Sequence, residues 1–218
     1  MKNYYEQSRL EMVDFLPPTY SKVLEIGCGV GNFSVNLQSN AEVWGVEPNK
    51  QSAEIAQKLM YTVLIGKYAD VEKQIPNRYF DLVICNDVIE HMDDHEYFLN
   101  SICTKISDNK YLMASVPNVR YWRLLYDYIV KKEWTYRDRG ILDKTHQRFF
   151  TEKSIKRSLI NHGFSIMKFR GINNMASFKQ KLFVRFLISI TLGYYSDIQY
   201  MEFGLLAKKI MIGTTNNK

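Results

Sequence analysis

Val23-Leu24-Glu25-Ile26-Gly27-Cys28-Gly29-Val30-Gly31 is the stretch on which the reading of this chain turns. The apolar run Lys22 to Ile26 reads as a short buried strand, and three glycines at alternate positions follow it. Glycine admits positive φ and lets the backbone approach a ligand closely. The spacing is GxGxG, which differs from the GxGxxG of dinucleotide-binding folds. Alone, such a stretch is equally a tight turn, so its meaning depends on what surrounds it.

Outward from that loop, strands and helices alternate. A helix over 4–16 stops before Pro17-Pro18, because proline disfavours helix in the residue before it. The glycine turn opens a helix over 29–38. Further strands are read over 42–46, 61–65, 80–85, 111–116, 164–169 and 200–208. Helices are read over 49–60, where Asn49 caps the start, and over 94–106. Another, over 151–162, is capped by Thr151 and stopped by Gly163, and one more runs over 177–192. Repeated strand–helix units imply an α/β fold, a mostly parallel sheet with helices on both faces. The chain reads as a single domain over 1–218. Its one interruption is 117–150, rich in Tyr, Trp, Arg and Asp, with a helix expected over 121–131 as a cover for a substrate pocket.

Ligands of such sheets sit beyond the carboxyl ends of the strands, and four features fall there in register. After Gly27–Gly31 comes Glu47, 22 residues past Glu25, a carboxylate able to accept from both hydroxyls of a ribose. Asp70 follows the third strand, placed for an adenine amino group, and Asn86-Asp87 follow the fourth, placed for an ammonium. Several acids with no phosphate-binding Lys suit S-adenosylmethionine (SAM), which carries an ammonium and a sulfonium and no phosphate, better than a dinucleotide.

With those residues in place, the chain resembles the class I SAM-dependent methyltransferases, in the small-molecule branch of ubiquinone-type and sugar or polysaccharide-pathway O-methyltransferases. The resemblance rests on Val23–Gly31, Val46-Glu-Pro48, Phe80 to Met92, Ser115 to Arg120, Gly140 to Thr151 and His162-Gly-Phe164. It implies a Rossmann-like sheet of seven strands with an antiparallel last strand. It also implies that Glu25 with Gly27, Cys28, Gly29 and Gly31 holds the methionine part of SAM. Glu47 beside Pro48 takes the ribose, Asp70 with Val71 the adenine edge, and Asn86, next to Asp87, the methionine side.

Methyl transfer to a hydroxyl needs a base. His91 and His146 are the candidates, since imidazole titrates near neutrality. His162 is read as part of the helix stop and His95 as solvated. Asp87-x-x-Glu90-His91 with His146 also resembles the ExxEH…H metal set of small-RNA 2′-O-methyltransferases and some ubiquinone-pathway enzymes, with Asp87 as a departure in the first position. A divalent ion on Asp87, Glu90, His91 and His146 is therefore an expectation. For the acceptor, the candidates are Asn118, Arg120, Tyr121, Trp122 and Arg148, because aromatic faces stack on rings and Arg forks onto phosphate or carboxylate. A sugar or glycan intermediate leads. A quinone or an RNA 2′-hydroxyl is the enzymatic alternative, and a non-catalytic SAM-binding partner module is the alternative outside enzymology.

Composition narrows the setting. The net charge is +6 with no run of five basic residues, which gives no strong nucleic-acid signal. Cys28, Cys85 and Cys103 are an odd set without a CxxC pair, as expected for a reducing cytoplasm. The N-terminus lacks the apolar core of a signal peptide. Segment 177–192 mixes apolar residues with Lys179, Lys181 and Arg185, so a peripheral membrane contact is a further expectation beside a sheet-covering helix.

Overall fold

The computed structural model describes residues 9–174 and 178–210. Seven strands, β1 (Lys22–Ile26), β2 (Glu42–Glu47), β3 (Thr62–Ile65), β4 (Phe80–Asn86), β5 (Ile106–Pro117), β6 (Phe164–Ile172) and β7 (Glu202–Lys209), form one sheet in the order β3-β2-β1-β4-β5-β7-β6. Strand β7 runs antiparallel between β5 and β6, and the pairs from β3 to β5 are parallel. The strand order reverses at β1, so the ends of β1 and β4 open a crevice where a ligand can enter.

Alternation along the strands splits the core between the two faces. Leu24, Val83 and Cys85 belong to one apolar cluster, Val23, Leu82 and Ile84 to the other. Both faces are covered, which is why the strands read as nearly continuous apolar runs. The covering α-helices are α1 (Lys50–Ala56), α2 (Tyr68–Val71), α3 (His95–Lys105), α4 (Trp122–Ile129), α5 (Glu152–Asn161) and α6 (Phe178–Ile190). The Asn49 side chain caps α1 through Ser52 N at 3.0 Å. Thr151 and Ser154 form a reciprocal capping box on α5.

Two expected helices differ. Where a helix over 4–16 was expected, Leu10–Phe15 forms a 3₁₀ helix, and 4–8 lie outside the described residues. Its buried residues, Met12 and Phe15, are three apart, the period at which 3₁₀ side chains align. Phe15 seats against Gly204 on β7, where a β-carbon would lie 2.7 Å from its ring. Over 29–38 the chain forms turns and a short 3₁₀ segment, Ser34–Asn36. Gly29 and Gly31 hold φ of 55° and 83°, outside the helical region. Side chains then take the carbonyls a helix would use: Ser34 Oγ donates to Gly31 O at 2.7 Å and Asn36 Nδ2 to Phe33 O at 3.2 Å.

Candidate active site

The glycine loop leaves β1 under a constraint from β2. Gly27 N–H donates to Val46 O at 2.8 Å, and Glu47 at the end of β2 accepts from Gly29 N–H at 2.9 Å and Asn49 N–H at 2.8 Å. Gly27 has φ 70°, and a β-carbon there would lie 2.9 Å from Val88, so glycine is required on two counts. The Cys28 side chain turns inward against Gly45 and Met60, and burial pushes its thiol pKa up. Cys28 therefore offers the site only its backbone. Pro48 is exposed beside Glu47. Asp70 is exposed and Val71 buried on α2, a one-turn helix that extended the expected third strand's exit.

Two side chains at the ends of adjacent strands β1 and β4 have buried, unmet polar atoms. Glu25 Oε2 and both the Nδ2 and Oδ1 atoms of Asn86 are buried without a hydrogen-bond partner. Burial, with Glu47 adding its charge, raises the Glu25 carboxyl to about 8. Orphaned buried polar groups are costly and call for a partner. An ammonium can donate to Glu25 Oε2 and Asn86 Oδ1, and the carboxylate beside it can accept from Asn86 Nδ2, so these residues fit the amino-acid end of SAM.

Asp87 is held differently. It lies at φ 52° and accepts from Ser115 Oγ at 2.8 Å, while its other oxygen pairs with the Arg9 guanidinium. Arg9 also donates to Ser115 Oγ at 2.7 Å and to Glu202 at 3.0 Å, and it pairs with Glu11 at 3.1 Å. No motif marks Arg9, and its partners lie up to 193 residues away, which is why sequence reading passed over it. Burial, then Asp87, raises the Glu202 carboxyl to about 7.

Beyond β4, Glu90, His91 and His146 meet. Their ligand-type atoms all lie within 4.8 Å of one another, and the two imidazole centroids are 4.6 Å apart. The insert is stitched to this point through its backbone: Gln147 N–H and Arg148 N–H both donate to Glu90 O, at 2.7 and 3.1 Å. His146 Nδ1 faces Ile141 O at 3.0 Å, and His91 Nδ1 faces Thr145 O at 3.3 Å. A carbonyl acceptor at Nδ1 selects the tautomer that leaves Nε2 as the lone pair. Burial, then the neighbouring His146, lowers the His91 pKa. The Glu90 carboxyl is fully buried with no partner on either oxygen, and burial, then Asp87, raises its pKa well above the usual range. Asp87 pairs with Arg9 and is not among these three ligand-type residues.

The insert residues divide. Asn118 is buried and donates to Asp197 O at 2.9 Å and Tyr200 O at 3.0 Å, a pin between β5 and the approach to β7. Arg120 is spent on Asp197 at 2.5 Å, with its guanidinium 5.4 Å from the Tyr195 ring centre. Tyr121 is buried. Trp122 keeps a buried Nε1–H without an acceptor. Arg148 is exposed and bonds backbone oxygens of Gln147 and Asp93 at 2.9 and 3.2 Å. His95, expected to face water, is largely covered, pairing with Glu96 at 3.0 Å and edging onto Phe150. His162 ends α5 as expected, its Nδ1 2.6 Å from Ser158 O.

Known proteins bear on this arrangement. A family model described as a methyltransferase domain matches residues 1–168. Over 188 residues the chain is 27% identical to a ubiquinone biosynthesis O-methyltransferase of Bradyrhizobium diazoefficiens, covering 83% of this chain and 69% of that one. Over 160 residues it is 28% identical to the mitochondrial ubiquinone biosynthesis O-methyltransferase of Schizosaccharomyces pombe, covering 69% of this chain and 57% of the relative. The chain thus spans between 57% and 69% of these relatives' lengths. A SAM-dependent methyltransferase from Archaeoglobus fulgidus superposes with a TM-score of 0.64 at 20% identity, covering 93% of this chain and 95% of that one, which shows a shared fold. The chain belongs to the class I SAM-dependent methyltransferase family.

Proposed function

We propose that the domain transfers the methyl group of SAM to a hydroxyl on a small ring-bearing acceptor, with His91 or His146 taking the proton. The observation that carries this reading is the pair of imidazoles 4.6 Å apart beyond β4, beside the crevice bounded by Glu25 and Asn86. SAM supplies an already activated methyl on a sulfonium. The protein's part is to align acceptor and donor and to remove a proton. The backbone of Gly27–Gly31 and the side chains of Glu25 and Asn86 hold the methionine part, Glu47 the ribose, and Asp70 with Val71 the adenine. The orphan Trp122 Nε1–H offers the acceptor one hydrogen bond.

A phenolic hydroxyl suits this apparatus best. Its pKa is about 10, within reach of neutral imidazole. The relatives named for ubiquinone O-methylation favour the same class. A phosphorylated acceptor is less favoured, because Arg120 is engaged with Asp197.

A sugar or glycan hydroxyl is the second reading, and one observation favours it. The buried, partnerless Glu90 carboxyl stands with His91 and His146 in a ligand-type group that fits a divalent ion. Such an ion would be held by those three residues, without Asp87, and would acidify a hydroxyl too weak for imidazole alone.

Labelled SAM with a catechol and with a sugar acceptor, each with and without EDTA, separates the readings. EDTA-resistant transfer to the catechol, falling about 10²–10⁴-fold in His91→Ala and His146→Ala with SAM affinity unchanged, is expected. EDTA-sensitive transfer to the sugar alone supports the second reading. SAM binding without transfer to either, or transfer indifferent to both substitutions, overturns the assignment of the histidines.

A further inference from the structure

Helix α6, between β6 and β7, turns its apolar residues the wrong way for a helix that only covers a sheet. Val184 faces inward and is 2% exposed. On the opposite side, Leu182, Phe186 and Ile190 are 63%, 59% and 59% exposed. Their i, i+4, i+8 spacing stacks them in one outward stripe. The stripe continues past the helix end. Leu192 is 96% exposed at φ 50°, a left-handed conformation unusual for a γ-branched side chain, and Tyr194 is 72% exposed. Exposed apolar surface of this extent marks a contact with something else.

Charge identifies the partner. From Lys153 to Ser196 the chain has eight Lys and Arg and no Asp or Glu, while the whole chain carries a net +6. On α6, the exposed Lys181 and Arg185 flank the stripe, and no ion pair engages either among the described residues. An apolar ridge edged by unpaired cations and tipped by tyrosine suits the boundary between lipid headgroups and acyl chains. No helix among the described residues is long and apolar enough to cross a membrane, so the contact lies in the surface plane. The same segment continues to Tyr195 and Asp197, which grip Arg120 at the start of the acceptor insert.

We propose that α6 and the Leu192–Tyr194 tip dock the protein on an anionic phospholipid surface. This does not rest on the identity of the methyl acceptor.

The test is cosedimentation of the full chain with vesicles of phosphatidylglycerol and phosphatidylcholine, against pure phosphatidylcholine, at low and high salt. SAM binding reports that each variant is folded. Binding to the anionic vesicles only, weakened by salt, is expected. Lys181→Glu with Arg185→Glu should cut the partition coefficient at least tenfold, because each cation contributes roughly fivefold. Phe186→Ser should cut it comparably while SAM binding is kept. No binding to anionic vesicles overturns the proposal, as does binding that these variants leave unchanged. So does a concentration-dependent dimer that Phe186→Ser dissolves, which would assign the stripe to a second copy of the chain.

Discussion

Glu25 concentrates at one residue the conflict between folding and binding. Its carboxyl is buried, carries an unpartnered oxygen, and ionises near pH 8 in the folded state. The sign follows from linkage. Between roughly pH 4.5 and 8 the native state keeps a proton that the unfolded chain releases, so raising the pH through this window erodes stability. A cationic ligand favours the ionised carboxyl, so SAM affinity should rise over the same window and level off above about pH 8. Glu25→Gln should weaken SAM binding at pH 8 and flatten its pH dependence, while ligand-free stability falls less between pH 5 and 8 than in the wild type. Isothermal titration and thermal melts over that range check both. A mutant whose SAM affinity keeps the wild-type pH profile would remove Glu25 from the binding account. Glu25 was legible as a candidate site residue because it lies inside the glycine motif. Its unmet oxygen was not, because that depends on what β2 and β4 bring beside it.

Secondary-structure elements were legible where the local chemistry was sufficient. Asn49 and Thr151 each mark a helix start, and the structure places their side chains on the backbone N–H groups three residues on. Thr151→Ala should cost about 1 kcal/mol through loss of the capping box, seen as a lower melting temperature with unchanged SAM affinity. The expected helix over 29–38 failed because two positive-φ glycines and side-chain bonds to Gly31 O and Phe33 O outcompete its apolar spacing. Helix α6 shows a different limit. Its apolar periodicity predicts a helix correctly, but which face is buried cannot be read from that pattern when apolar residues occupy both sides.

At the scale of the whole molecule, Arg9 ties the start of the described chain to β4, β5 and β7 through Asp87, Ser115 and Glu202. Its side chain is 9% exposed, so the guanidinium is a largely buried charge among half-buried partners. Removing one member of such a group leaves the others uncompensated, at a cost of about 3–5 kcal/mol. Arg9→Ala should therefore lower the melting temperature by roughly 10 °C. Arg9→Lys should recover only part of that, since a point charge cannot fork to three acceptors. A melting temperature unchanged in Arg9→Ala would show that this network contributes nothing net. By itself, the sequence determined the α/β architecture and the glycine turn after β1, because strand–helix alternation and the Gly27–Gly31 spacing are local patterns. Only the tertiary structure decided that His146 meets His91 and Glu90, that Asp87 belongs to Arg9, and that α6 faces its apolar stripe outward. Those pairings join loops and faces with no shared periodicity, and they exist only once distant backbone segments bond, as Gln147 and Arg148 do to Glu90.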